Sequence, residues 1–203
     1  MNDRSEDFDK IYEEFSPKIV GYLRRLVGEH DAQDVAQQVF MKVNSALENF
    51  RGDSSLPTWI YKVATNAAID HLRKSSSGLG ALVTGDLADD ESFSGDDAMV
   101  AEGSAPSLDT HLIRKEMNVC IRGVVEALPE NYRSVLVLSE LEGFTNTEIA
   151  DVLDISLEAV KIRLHRSRTR LRKELEAKCN FYRDDRNELA CDRKTASLNF
   201  LKK

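Results

Sequence analysis

Thr145-Asn146-Thr147-Glu148-Ile149-Ala150-Asp151-Val152-Leu153-Asp154-Ile155-Ser156-Leu157-Glu158-Ala159-Val160-Lys161-Ile162-Arg163-Leu164-His165-Arg166 contains two helix starts eleven residues apart. Thr145 with Glu148 spells a capping box, in which hydroxyl and carboxylate satisfy each other's orphan backbone donors. A short helix to Leu153 follows, Asp154-Ile155 turns the chain, and Ser156 caps a longer helix. Short helix, tight turn and second helix predict a helix-turn-helix, whose second helix enters the major groove of duplex DNA.

The second helix has the charge for that task. Lys161, Arg163, Arg166, Arg168, Arg170, Arg172 and Lys173 fall within thirteen consecutive residues that hold no acid. At about 100° per residue, Val160, Leu164, Ser167, Leu171 and Leu175 share a face that packs. The opposite face carries Ile162, His165, Arg166, Thr169 and Lys173, flanked by Lys161 and Arg172. A merely solvated helix mixes signs for i, i+4 pairing, and this one does not.

That basic helix is hidden by a net charge of −7 and a sequence pI near 5.2. From Ser75 to Ile113 there is no Lys or Arg, while Asp86, Asp89, Asp90, Glu91, Asp96, Asp97, Glu102 and Asp109 accumulate among Gly and Ser. Residues 76–110 therefore predict a flexible acidic linker, self-repelling and extended. It divides the chain into blocks at 1–75 and 111–176, with an extension at 177–203. The expected class is all-α: two small helical domains on a tether, without internal repeats or alternating β patterns.

In the first block Phe8, Ile11, Tyr12, Phe15, Ile19, Leu23 and Leu26 form one apolar stripe, and Val35, Val39, Val43 and Leu47 another. Pro17 favours a kink in the first helix, and Asp31 with Asp34 marks the start of the second. The stretch Phe50-Arg51-Gly52-Asp53-Ser54-Ser55 reads as a loop ending at Pro57, which suits a first helical turn. The third helix, to about Lys74, buries Ile60, Val63, Ala64, Ala67 and His71. Its far side assembles Trp59, Lys62, Asn66, Asp70 and Arg73, a set suited to a nucleic-acid strand with unstacked bases, since aromatics stack and cations hold phosphates. In the second block Ile113, Met117, Cys120, Ile121, Val124 and Leu128 predict a helix stopped by Pro129, and Tyr132, Val135, Leu136 and Leu141 one closed by Gly143.

The chain resembles the bacterial extracytoplasmic-function sigma factors, subunits that direct RNA polymerase to promoters. The resemblance rests on Asp31-Ala32-Gln33-Asp34-Val35-Ala36-Gln37-Gln38-Val39-Phe40, on Phe50-Arg51-Gly52-Asp53 followed by Pro57-Thr58-Trp59-Ile60-Tyr61-Lys62-Val63-Ala64-Thr65-Asn66 through Asp70-His71-Leu72-Arg73, and in the second block on Leu128-Pro129-Glu130, Arg133, Glu142-Gly143, Glu148-Ile149-Ala150 and Val160 to Arg166. It implies core polymerase as partner, the clamp of the largest subunit gripped by Asp34, Gln37, Gln38 and Lys42 and the flap of the second subunit met by the second domain. It implies promoter DNA as the other partner. Phe50, Arg51, Gly52, Asp53 and Ser54 match a pocket for a base flipped from the −10 element, beside Trp59, Lys62, Asn66 and Arg73. Lys161, Ile162, His165 and Arg166 match −35 contacts, on the face that helical arithmetic had already selected. Ile162 stands where many relatives carry a small polar residue, which favours contact with a thymine methyl. An anti-sigma factor is a further implied partner, and the linker's carboxylates are implied to thread the polymerase's RNA path in place of phosphates; a plain solubilising tether is the other reading of them.

Taken without the resemblance, the second block fits a stand-alone helix-turn-helix regulator equally well, but that leaves the Phe50 loop and the Trp59 stripe without a task. No catalytic triad, Gly-rich phosphate loop or metal-ligand set is visible, so no enzyme, cofactor or metal is expected, and His30, His71 and His111 read as surface or packing residues. The acidic amino terminus and the lack of a long apolar run predict no secretory signal or membrane insertion, hence a cytoplasmic protein. Cys120, Cys179 and Cys191 are too few for a disulfide framework. In the extension, Cys179 and Cys191 stand near Arg and Lys that would favour thiolates, a possible redox pair. Phe181, Tyr182, Leu189, Leu198, Phe200 and Leu201 are apolar enough to dock, on the second domain, over the basic helix or on an anti-sigma factor.

Overall fold

Apolar residues at three- and four-residue steps wind the amino-terminal part of the chain into three helices. The structure, a computed structural model, describes residues 3–76, 120–183 and 189–194; the expected linker and the end of the tail lie outside them. Helix α1 (Asp3–Val27) buries Phe15, Ile19, Tyr22, Leu23 and Leu26. It runs unbroken through Pro17, which is exposed, so water can take the carbonyl that proline leaves without a donor. Gly28, at φ 90°, ends it.

Helix α2 (Ala32–Ala46) buries Val35, Ala36, Val39, Phe40 and Val43. Asp31 marks its start, as expected, but its side chain makes no capping bond. Its Oδ2 instead lies 3.0 Å from Nε2 of His71 on the next helix, so the carboxylate ties two helices together. After a 3-10 turn (Leu47–Asn49), α3 (Leu56–Ser76) starts one residue before Pro57. Ser55 caps it: its hydroxyl accepts the Thr58 N–H at 3.3 Å and its carbonyl accepts that of Trp59 at 3.0 Å.

In the second lobe, the described part of α4 (120–126) buries Cys120, Val124 and Val125, with Leu128 behind it. Helix α5 (Glu130–Glu140) buries five consecutive residues, Ser134 to Leu138. One stripe was expected; α5 is instead covered from two sides, by α7 and by α1. Leu141, expected in that stripe, is 53% exposed. Helices α6 (Asn146–Leu153) and α7 (Leu157–Lys178) complete the lobe.

The all-α class holds with one addition. Cys179–Arg183 (β1) and Leu189–Arg193 (β2) pair as an antiparallel hairpin, which the lack of a clear alternating pattern did not suggest. The larger difference is between lobes. Expected to sit apart on a tether, the described lobes share one hydrophobic core. Arg133 of α5 donates to the Leu26 carbonyl of α1 at 2.7 Å, and the Tyr61 and Phe144 rings lie 4.8 Å apart. This contact also explains α3, whose buried side is wider than the expected stripe: Thr58, Tyr61, Thr65 and Ala68 are buried too, while Val63 and His71 are only half-buried.

Candidate nucleic-acid interface

Local geometry in the second lobe follows the residue code. Thr145 and Glu148 make both halves of the capping box. Asp154 takes the left-handed conformation at φ 55°, which Asp tolerates better than most residues, and the Ser156 hydroxyl accepts the Ala159 N–H at 3.1 Å. Helix α7 is thereby started and aimed. Val160, Leu164 and Ser167 are buried, with Leu171 against the core.

Turned outward on α7, Lys161, Ile162, Thr169 and Lys173 are exposed, and His165 and Arg166 half-buried. The four residues that match −35 contacts, with Thr169 and Lys173 of the same expected DNA face, thus share one accessible stripe. Ile162 at 44% exposure is an apolar side chain presented to water within a cationic surface. The helix's missing acids are partly supplied from elsewhere: Arg168 holds Glu140 of α5 through Nε at 3.0 Å and Nη2 at 2.6 Å, an exposed ion pair between α7 and α5.

A second concave surface lies in the first lobe. Asn49, Phe50, Arg51, Asp53, Ser54 and Trp59 line a cavity of about 280 Å³, near the lower end of ligand-pocket sizes. The Phe50 and Trp59 rings are 5.0 Å apart at 36°, and Gly52, at φ 75°, makes the sharp turn that closes the loop. Beside it on α3, Asn66 and Arg73 are exposed and Lys62 half-buried. Two of these cations meet the other lobe. Lys62 Nζ is 3.7 Å from Asp154 Oδ1, and the charge of Arg73 helps hold down the Glu130 carboxyl, which burial pushes up.

Asp34, Gln37, Gln38 and Lys42 form a third surface, the exposed side of α2. Met41, 67% exposed, shares it. Met41 was not among the residues expected there, although an apolar residue four positions after Gln37 was the available signal.

Also missed was Glu142, which joins the lobes. Its carboxylate accepts from Arg25 Nη1 at 3.1 Å and from the Tyr61 hydroxyl at 2.6 Å. Burial, and then the bond to Glu142, keep the Tyr61 phenol protonated well beyond the ordinary tyrosine range. In the extension, Cys179 is buried and Cys191 half-exposed. Burial pushes the Cys179 thiol up to about 12, which overturns the expectation that neighbouring cations favour its thiolate. Phe181 and Tyr182, expected to dock, are 38% and 42% exposed; Leu198, Phe200 and Leu201 lie outside the described residues. Among the described residues no set of three or more His, Cys, Asp or Glu is placed to hold a metal ion, and no helix is long and apolar enough to cross a membrane.

Comparison with known proteins shows the family of the chain. Residues 11–78 match the family described as Sigma-70 region 2, and residues 118–171 match Sigma-70, region 4. The chain is 35% identical over 175 residues to the RNA polymerase sigma-H factor of Pseudomonas aeruginosa, covering 83% of this chain and 86% of that protein. It is 31% identical to the ECF RNA polymerase sigma factor SigW of Bacillus subtilis, covering 83% and 88%. Among solved structures, the fold is similar to the sigma factor RpoE of Bartonella quintana in complex with the anti-sigma factor NepR (TM-score 0.62, 19% identity, 84% of this chain and 98% of that one). It is also similar to CnrH in complex with the cytosolic domain of CnrY (TM-score 0.59, 21% identity, 85% and 90%). With both sigma regions matched in order and relatives above 30% identity along most of its length, the chain belongs to the extracytoplasmic-function group of RNA polymerase sigma factors.

Proposed function

We propose that the chain docks on core RNA polymerase through the α2 face around Asp34, Gln37, Gln38, Met41 and Lys42, with the clamp of the largest subunit as the counterpart, while the second lobe meets the flap of the second subunit. Helix α7 then reads the −35 duplex with Lys161, Ile162, His165, Arg166, Thr169 and Lys173. An unstacked base of the −10 strand enters the cavity between Phe50 and Trp59, with Arg51, Gly52, Asp53 and Ser54 around it and Lys62, Asn66 and Arg73 along the strand. The cavity carries this reading. Extruding a base costs a few kcal/mol, recovered only where a pocket receives it, and a stand-alone duplex-binding regulator has no use for one.

The two elements lie about 25 base pairs apart, about 85 Å at 3.4 Å per pair, so lobes in hydrogen-bond contact cannot occupy both. Opening of the Glu142 contact is therefore part of the proposed cycle. A chain of 35 residues, the length of 76–110, reaches about 120 Å at most, enough for the span. Its acids are suited to the polymerase's basic RNA path. An anti-sigma factor is the proposed inhibitor; the cleft of about 330 Å³ between lobes, lined by Lys18, Pro57, Tyr61, Leu141 and Phe144 among others, offers it a mixed apolar and charged seat. The protein would work in the cytoplasm, where polymerase is. Co-purification with core polymerase tests the reading: wild type is retained, Asp34→Ala with Gln38→Ala is depleted, and equal behaviour of both would contradict the assigned face.

A further inference from the structure

The chain has three cysteines, one of them well before the other two in sequence, and folding brings them to one end of the second lobe. Cys120 opens the described part of α4, Cys179 is both the last cap of α7 and the first residue of β1, and Cys191 lies in β2. The Cys120 and Cys179 sulfurs are 3.2 Å apart across 59 residues of chain, and both side chains are buried. In the hairpin register Cys179 faces Arg193 and Phe181 faces Cys191, which makes Cys179 and Cys191 diagonal neighbours on one face of the ribbon. Cys191 lies near enough to Cys179 to hold its thiol in the protonated form and is itself partly open to solvent.

A single buried cysteine is an ordinary small apolar residue. Three from separate elements, two in sulfur contact and the third leading outward, are a different arrangement. We propose that Cys120 and Cys179 form a reversible dithiol–disulfide site, oxidised by hydroperoxides through Cys191 as the entry thiol. The site differs from the Cys179–Cys191 pair suggested by the sequence, because the partner that completes it comes from α4.

The chemistry balances in three steps. The Cys191 thiol attacks one peroxide oxygen, the O–O bond breaks, and the thiol proton leaves with the other oxygen as water or an alcohol; Cys191 becomes a sulfenic acid. The Cys179 thiol attacks that sulfur, the S–O bond breaks, and the departing hydroxide takes the Cys179 proton as water. Finally the Cys120 thiol attacks the Cys179 sulfur of the Cys179–Cys191 disulfide, and Cys191 leaves and recovers a proton. Two thiols have lost two electrons and two protons to one hydroperoxide. The burial of Cys120 and Cys179 directs the first attack to the accessible Cys191, and Cys179 reacts only with the sulfenic acid held beside it, giving up its proton to the departing hydroxide as it does so. The product ties the helix that follows the linker to the carboxy-terminal end of the recognition helix.

The test uses the full chain, reduced and then treated with hydrogen peroxide, with intact mass and peptide mapping as readouts. The expected result is a monomer lighter by two hydrogens, with Cys120 joined to Cys179, reversed by dithiothreitol. Cys191→Ser, a half-exposed position whose fold is checked by circular dichroism, should slow the bond's formation at least tenfold. Cys120→Ala should trap the Cys179–Cys191 bond. A wild-type end product joining Cys179 to Cys191, a disulfide between two chains, thiols oxidised to sulfinic acid without a bond, or reduced protein holding one equivalent of zinc on these thiols would each overturn the proposal. So would an unchanged rate in Cys191→Ser.

Discussion

Tyr61 in the first lobe donates a 2.6 Å hydrogen bond to Glu142 in the second, 81 residues further along the chain. The same carboxylate takes Arg25 at 3.1 Å, and the Glu142 side chain is only 11% exposed. Losing a hydrogen bond to a charged group costs about 1.5–3 kcal/mol, or roughly ten- to a hundredfold in an equilibrium. Tyr61→Phe should shift the closed-to-open ratio by that amount, and Glu142→Ala by more. Small-angle scattering checks it: both variants should give a larger radius of gyration than the wild type, and unchanged radii would show that Glu142 does not hold the lobes.

Alkaline pH probes the same region. Thr65 spends its hydroxyl proton on the Tyr61 carbonyl at 2.7 Å, so Tyr22 must be the donor in its 2.8 Å contact with Thr65. Burial raises the Tyr22 and Tyr61 phenols above their ordinary value. The unfolded chain releases these protons from about pH 10 while the folded chain keeps them, so their contribution is complete below pH 10 and is lost as pH rises above it. The slope is up to about 1.4 kcal/mol per pH unit for each tyrosine. Urea midpoints from pH 8.5 to 11.5 should fall more gently in Tyr22→Phe than in wild type; parallel curves would contradict the protonated, donating Tyr22.

Promoter choice is assigned to the outward stripe of α7. Arg166→Ala should cost about 1–3 kcal/mol on a −35 duplex with guanine opposite it and little on duplexes without. Ile162→Ser should weaken binding where a thymine methyl is removed less than where it is present. Competition binding over single-base −35 variants measures both. An equal loss on every sequence would reduce Arg166 to a phosphate contact.

Strand capture is assigned to Phe50 and Trp59. Stacking on an aromatic is worth about 1–3 kcal/mol per base, so Trp59→Ala should lower the yield of open promoter about ten- to a hundredfold while leaving closed-complex binding within about twofold. Permanganate reactivity of unpaired thymines reads the first quantity, gel shift the second. Equal losses in both would place Trp59 in folding instead.

The helix-turn-helix was legible because caps are local: Thr145, Glu148 and Ser156 act within three residues, and the stripe of α7 follows from periodicity alone. The Phe50–Trp59 cavity was legible in outline, since Gly52 demands a turn and Trp59 lies just past it. Glu142 was not, because nothing near it in sequence tells that an acid after α5 will meet Arg25 and Tyr61 from another lobe. The same blindness narrowed the buried face assigned to α3 and put Leu141 in a core it does not enter. Cys120 was overlooked as a partner because thiol pairing depends on where α4 packs, while Pro17 misled because a proline on an exposed helix face costs one bond that water replaces.

This chain is proposed to confer promoter selection on core polymerase through two separated elements. Transcription by core polymerase with the purified chain on fragmented genomic DNA, followed by sequencing of transcript starts, measures it directly. New starts, absent with core alone, that share one element near −10 and one near −35 at constant spacing are the expected result. Start sites no different from those of core alone, or sites sharing only a single element, would contradict it.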